Sequence, residues 1–508
     1  MKNLVNVVNG LVDAMFEDIA HTDLVTSECL IKTRYDMYHA FARRGLPFYT
    51  ITMPACSKFL ESFLETGEMK HERPPYHGGI TKDDQRPRFM HSLWARISSD
   101  SGQLLAEPCP KSIFFLRQVY NLFKKLDMDC KQVYVDQAVK DWLHIENELP
   151  RSHQDTWDSE IPVWSLRTGH PLWSDTVVNK ESKDLFAFSF KDEHRGQLGS
   201  FNNWVRGAYN GISYSPDDPI WNMFRRLCRH MCYQLGPIDT WSLRPKHGPG
   251  AVSERGVIRK YEFNVWPRKL QNIFPADWFA SHDLTDRSVS DKEPPARMCA
   301  VPKTQKGPRL IAAEPSAHQW IQGGIQRWLE DRVAASALGK SIDFRSQLPS
   351  RELAIEASST GQFATVDLSS ASDRLSTRLV ECVFEGHPDL LDALHASRSR
   401  SLTIPKGLTS FHTSDELVVL RKFGPQGSAV TFPVQTIVYT MLAHTAVAAV
   451  LGNWGLRPSD WNDRAQYIRV FGDDIIITEP AVGHLYRLLE EVGLKVNKEK
   501  SFSRGQFR

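Results

Sequence analysis

"YIRVFGDDIII", Tyr467 to Ile477, sets two aspartates side by side between two apolar, β-branched runs. The runs "YIRVF" and "IIIT" read as paired strands, with Gly472-Asp473-Asp474 as the tight turn between them. Glycine supplies the backbone angle such a turn demands, and aspartate tolerates turns. A plain hairpin tip with solvated aspartates is one reading. The flanking Val470-Phe471 and Ile475-Ile476-Ile477 favour another, a turn anchored in a core. Carboxylates held about 4 Å apart repel by about 4 kcal/mol at an effective dielectric of about 20. A divalent cation turns that repulsion into binding, and hard oxygen ligands suit Mg2+.

A third carboxylate stands upstream. Asp367 ends the strand "FATVD", where a serine-rich turn begins. An aspartate at a strand's C-terminal end and an aspartate pair at a hairpin tip can meet at one edge of a sheet. Three carboxylates can hold two Mg2+ roughly 3.5–4 Å apart, the arrangement that drives in-line phosphoryl transfer. Beyond the turn, Leu375, Leu379 and Val383 mark one helical face, with Ser370 or Ser372 as its cap. Asp373 opens that helix, either as a charge favourable to the helix dipole or as a reader of a ribose hydroxyl. "AVGHLYRLLEEVGLKVN" is a second helix, with Val482, Leu485, Leu489 and Val492 on one side and Gly493 as its stop. The order strand, helix, long helix, hairpin, helix, strand predicts an α+β sheet with helices on one face.

Phosphates need cations. "RMCAVPKTQKGPR" carries Arg297, Lys303, Lys306 and Arg309 with no acid between, and Pro302, Gly307 and Pro308 keep it extended. Such a basic loop is either solvated surface or the wall of a triphosphate channel. "FGPQGSAVTFPVQTIVY" has Gly424 and Gly427 in a loop entering a long helix, where Ser428, Thr431 or Gln435 could bond a sugar or base. The apolar stretch Val434 to Gly452 carries Gln435, His444 and threonines, so a buried helix is expected rather than a membrane span.

The remainder bounds the answer. The 508 residues are 41% hydrophobic and 24% charged, an ordinary globular mixture. Lys and Arg number 62 against 60 Asp and Glu, so any nucleic-acid surface must be local rather than global. Eight scattered cysteines predict free thiols. Cys228 and Cys232 share a helix face, but no second pair follows at zinc spacing, so packed thiols are expected. The first 70 residues and 111–148 have helical spacing. Residues 71–89, 150–220 (with Trp157, Trp164, Trp173 and Trp204) and 244–256 read as loops.

"VDLSSASD", "GSAVTFPVQ" and "FGDD", in that order, resemble palm motifs A, B and C of RNA-dependent RNA polymerases. With "HGPGA", "DLSSASDRLS", "TFPVQT" and "NKEKSFSRGQFR", the chain resembles the replicase catalytic subunit of positive-strand RNA bacteriophages, levivirus type. The resemblance implies a right-hand α+β polymerase: helical and loop-rich fingers, an antiparallel-sheet palm, and a thumb beyond Arg508. The expected partition is an N-terminal fingers-type region over 1–240, fingers with the basic loop over 241–340, and the palm over 341–508.

It implies primer-independent copying of a single-stranded RNA template from NTPs in the bacterial host cytoplasm. The expected cofactor is two Mg2+, with Mn2+ as a substitute. Asp367, Asp473 and Asp474 become metal ligands, and Lys303, Arg309, Asp373, Ser428 and Thr431 contact nucleotide. Lys500 matches the motif D basic residue that assists pyrophosphate departure. The family often has Asn where this chain has Ser428. Implied partners are elongation factors Tu and Ts and a ribosomal RNA-binding protein, with no membrane. Two rivals remain: a reverse transcriptase, though Asp373 stands in place of an aromatic sugar gate, and a non-catalytic RNA-binding protein.

Overall fold

A computed structural model describes residues 2–69, 75–76, 84–126, 130–150, 152, 218–254, 259–261, 263, 265–280, 289–304 and 307–503. The four tryptophans between 157 and 204, most of the 71–89 loop, Lys306 and the terminal "GQFR" lie outside them. The chain groups into two compact units. The first holds residues 1–135, 301–309 and 505–508; the second holds 136–300 and 310–504.

The first unit is helical. Helices Lys2–Ala20, Ser27–Arg44, Met53–Thr66 and Pro110–Asn121 enclose a core that includes Phe48, Tyr49, Phe63, Trp94 and Tyr120. The Trp94 indole N–H donates to the Tyr120 hydroxyl over 3.1 Å, so the polar ends of both rings are satisfied inside the core. Gly45 stops the second helix with φ +67°, as "ARRG" suggests.

The second unit mixes helices and strands. Strands β1 (Ala296–Thr304) and β2 (Gly307–Ala313), whose residues 301–304 and 307–309 group with the first unit, and β3 (Phe363–Val366), β4 (Ser401–Ile404), β5 (Glu416–Val419), β6 (Ile468–Phe471) and β7 (Asp474–Thr478) form two sheets. One runs β2–β1–β4–β5 and the other β3–β7–β6. Helix α1 (Gln132–Glu148) begins in the first unit and ends in the second. Helices α2 (Ala371–Arg374), α3 (Thr377–Phe384), α4 (Thr431–Leu451) and α5 (Val482–Glu491) complete the elements that matter for the site. The α+β expectation holds.

Helix α4 passes a length and composition test for crossing a membrane, but 83% of its apolar window is buried inside the protein. It is the core helix. Three of its threonines are satisfied locally: Thr436, Thr440 and Thr445 each donate to the carbonyl four residues back. His444, buried beside Ser341 Oγ at 3.1 Å, has its pKa pushed down to about 3 by burial and then by Arg464, so it stays neutral. On helix Pro219–Leu235, Cys228 and Cys232 pack in this core, and burial pushes the Cys232 thiol up to about 12. All eight cysteines are free.

Two local expectations change. The helix after Asp367 is broken: α2 is a single turn, and α3 starts at Thr377. The working cap is Ser376, whose hydroxyl accepts from Leu379 N–H at 3.2 Å, not Ser370 or Ser372. Ser370 instead takes a left-handed conformation (φ +53°) and makes no capping bond. The basic "loop" is also largely strand, with β1 and β2 adjacent in one sheet and buried at the ends away from Thr304 and Gly307.

Candidate active site at the sheet end

Strand β7 lies between β3 and β6, antiparallel to both. Its isoleucines explain the placement: Ile475 and Ile477 enter the main core with Val366, Ala364, Val470 and Ile468. Burial of one face fixes the register, since a one-residue slip would turn every one of these side chains outward. The β3–β7 pairing ends at Val366 opposite Ile475. Asp367 follows the last paired residue of β3 and Asp474 begins β7, so both stand at the same end of this sheet.

The hairpin turn is two residues, Gly472-Asp473, because Asp474 already pairs with Phe471 as the first residue of β7. Gly472 has φ +65°, and Asp473 is not among the positive-φ residues. That combination belongs to a type II′ turn, which takes glycine at its first central position. The Gly472 N–H donates to Thr436 Oγ1 over 3.1 Å, pinning the turn to α4. A Cβ on Gly472 would stand 2.9 Å from the Phe432 ring, which itself packs edge-on against Phe471. Asp473 and Asp474 are both exposed, so water screens much of their repulsion. The turn is anchored in the core; its carboxylates are not. Thr436→Val is expected to leave the buried Gly472 N–H without its acceptor and to cost about 1–3 kcal/mol. The urea midpoint should fall with the slope unchanged.

Asp367 sits where the chain changes sheets. Val366 pairs with β7, while Leu368-Ser369 pair with Lys495-Val496. The segment 497–501 then closes around Asp367. Its N–H donates to Ser501 Oγ at 3.1 Å, and its carbonyl accepts from Asn497 N–H at 2.9 Å. Its Oδ2 accepts from Asn497 Nδ2 at 2.9 Å and Lys500 Nζ at 3.2 Å. Lys500 thus reaches Asp367. Asn497 and Ser501 were not singled out from the sequence, although they lie in the same "NKEKS". Among the described residues, no three His, Cys, Asp or Glu side chains stand together ready to hold a metal. The donors still suit Mg2+ chemically. All are hard carboxylate oxygens, and Asp367 Oδ1 accepts nothing from a described residue.

Asp373 lies on α2, too short for a helix dipole to matter. Its Oδ1 accepts from Lys422 Nζ at 2.8 Å. The neighbouring turn is tied down by Tyr439, whose hydroxyl donates to the Ala371 carbonyl at 2.9 Å. Burial, then the charges of Asp473 and Asp373, push Tyr439 well above its usual pKa, so it remains a donor. Ser428 is buried, and its Oγ has no hydrogen-bond partner. Thr431 is buried and directs its hydroxyl to the Pro425 carbonyl at 3.4 Å; Gln435 is buried too. Gly427, at φ +131°, presses against Ala312, where a Cβ would collide with the carbonyl oxygen. Arg297 is occupied by the Ser253 carbonyl at 3.3 Å. Lys303 and Arg309 are exposed, on the hairpin segment that groups with the first unit.

A sequence model of the family described as RNA replicase, beta-chain, matches residues 274–508. These residues belong to that family. The match takes in Asp367, Asp373, Asp473, Asp474 and Lys500, and the curated relatives of the replicase beta-chain are named as enzymes. The RNA-directed RNA polymerase subunit beta of Enterobacteria phage SP is 31% identical over 68% of this chain and 56% of its own length. The subunit of Escherichia virus Qbeta is 33% identical over 48% of this chain and 36% of its own. The RNA-directed RNA polymerase beta chain of Enterobacteria phage GA is 29% identical over 67% and 61%. The chain thus spans about half the length of the curated relatives it matches. A solved structure titled "RdRp complex" superposes at a TM-score of 0.36 and 10% identity over 56% of this chain and 27% of that one. That likeness carries no argument.

Proposed function

We propose that the chain performs RNA-templated RNA synthesis, transferring nucleotidyl groups from NTPs to a 3′-hydroxyl, with initiation that needs no primer. The observation that supports this reading is the register pairing Val366 with Ile475, which brings Asp367 and the Asp473-Asp474 pair to the same end of one sheet, inside a replicase beta-chain region. In this reading the β3–β7–β6 sheet is the palm of a right-hand polymerase. Asp367, Asp473 and Asp474 would hold two Mg2+, with Mn2+ as a substitute. Bound there, such ions lower the pKa of a 3′-hydroxyl and neutralise charge on departing pyrophosphate.

The chain's own residues do the rest. Lys303 and Arg309 offer exposed positive charge to the triphosphate. Asp373 accepts a hydrogen bond from a ribose hydroxyl, and the unpartnered Ser428 Oγ is a second polar contact for the nucleotide. Lys500, two-thirds exposed beside Asp367, gives a proton to the leaving group in this reading. Template RNA is the macromolecular substrate. The proposed partners are host elongation factors Tu and Ts and a ribosomal RNA-binding protein, in the bacterial cytoplasm.

The test pairs binding with turnover. Mn2+ titration followed by electron paramagnetic resonance should report ions bound by the chain. Labelled ribonucleotides should enter product on an RNA template with Mg2+ present. Preferential use of deoxynucleotides would make the enzyme a reverse transcriptase. Absence of both metal binding and incorporation would remove the polymerase reading.

A further inference from the structure

Asp373 is held by a part of the chain far from the polymerase motifs. Lys422 lies just before the Gly424–Gly427 loop and is completely buried. A buried ammonium persists only when paired. Three groups surround it: Asp373 Oδ1 at 2.8 Å, Glu146 Oε2 at 3.2 Å, and the face of Trp142, whose centroid is 3.9 Å away. Glu146 is itself fixed, since its Oε1 accepts from the Arg421 and Lys422 backbone N–H groups. Trp142 and Glu146 both lie on α1.

The same end of α1 holds the surroundings. Arg374, next to Asp373, pairs with Glu148 at 3.1 Å. The Arg421 guanidinium donates to the carbonyls of Asn147 at 2.9 Å and Leu149 at 3.1 Å. A one-turn helix has little stiffness of its own, so Asp373 takes its orientation from this clamp. The ammonium engages Oδ1. From described residues Oδ2 accepts nothing, and the side chain keeps 18% of its surface exposed.

We propose that Lys422, clamped by Glu146 and Trp142, is the positioning residue that fixes Asp373 with one oxygen presented to the ribose 2′-hydroxyl. Lys422 thereby sets discrimination between ribo- and deoxyribonucleotides. This rests on the polymerase reading above. A carboxylate oriented to accept from a hydroxyl rejects an analogue lacking that hydroxyl, because its own oxygen is then left unpaired. A carboxylate free to rotate loses that selectivity. Lys422 touches no substrate and acts through Asp373.

The experiment measures kcat/KM for an NTP and its 2′-deoxy counterpart with the full chain, Lys422→Met and Asp373→Asn. Because Lys422→Met strands two carboxylates, Lys422→Met combined with Glu146→Gln serves as a milder second variant. The ratio of the two kcat/KM values is expected to fall roughly tenfold or more, chiefly through a raised KM for the NTP. Adding Lys422→Met to Asp373→Asn should lower it no further. Lys422→Arg should restore part of the ratio. An unchanged ratio in either Lys422 variant that keeps the parental unfolding midpoint overturns the inference and leaves the polymerase reading standing. If the parent chain incorporates no ribonucleotide, both fall together.

Discussion

Asp367→Asn is expected to lower ribonucleotide incorporation by roughly 10³-fold, given several kcal/mol of transition-state stabilisation from metal-bound charge and tenfold per 1.36 kcal/mol. The substitution keeps the shape of the side chain and an oxygen for Asn497 Nδ2. It removes the charge that the proposal assigns to ion binding. Stability should barely move. The main-chain bonds from Asp367 to Ser501 and Asn497 do not involve the carboxylate, and the Lys500 partner is largely exposed. The informative result is a large loss of turnover and of Mn2+ binding at an unchanged urea midpoint. Asp473→Asn and Asp474→Asn should behave alike. Full incorporation by Asp367→Asn would show that the sheet-end carboxylates do not form the reacting centre.

Glu293→Ala should produce the largest loss of stability. Glu293 is buried between Lys269 Nζ at 2.5 Å and Arg400 Nε at 2.6 Å, with His318 Nε2 at 3.4 Å. Burial opposes its charge, yet Lys269 and Arg400 together outweigh that and hold its carboxyl well below the usual range. Burial pushes Lys269 down to about 7 and His318 to about 4, so the histidine is neutral near pH 7. Removing the carboxylate leaves buried cations without their main counter-charge, a change of about 3–5 kcal/mol. That is a large part of an ordinary domain's 5–15 kcal/mol. The control is Asp331→Asn, which breaks an exposed pair with Arg345 and should cost under about 1 kcal/mol. Urea unfolding followed by tryptophan fluorescence compares them. Equal midpoints for the two variants would mean that the buried cluster carries no special weight.

The parts of this architecture legible in the sequence are those encoded over short distances. "YIRVFGDDIII" specifies its own hairpin, through its two β-branched runs and the glycine of the turn between them. Helix α5 announces itself by Val482, Leu485 and Leu489, all buried as its period requires. The length and threonines of the Val434–Gly452 stretch mark a core helix, and the threonines satisfy themselves within it. What the sequence did not disclose depends on residues that meet only in the fold. Ser370, Ser372 and Ser376 are equivalent candidates in a string; the left-handed bend at Ser370 decides which one caps. Asn497 and Ser501 gain meaning only because the chain changes sheets at Asp367. Lys422 reads as one more surface lysine until Glu146 and Trp142 are brought against it. Arg297 reads as a free cation until the Ser253 carbonyl occupies it.

The clasp on Asp367 also sets an order of events during synthesis. Ser501 follows Asp367 by 134 residues, so on a ribosome the aspartate emerges well before the groups that seat it. At ordinary elongation rates that interval is on the order of ten seconds. Throughout it a nascent chain carries its acidic strand end unfastened, because the clasp is made 134 residues later.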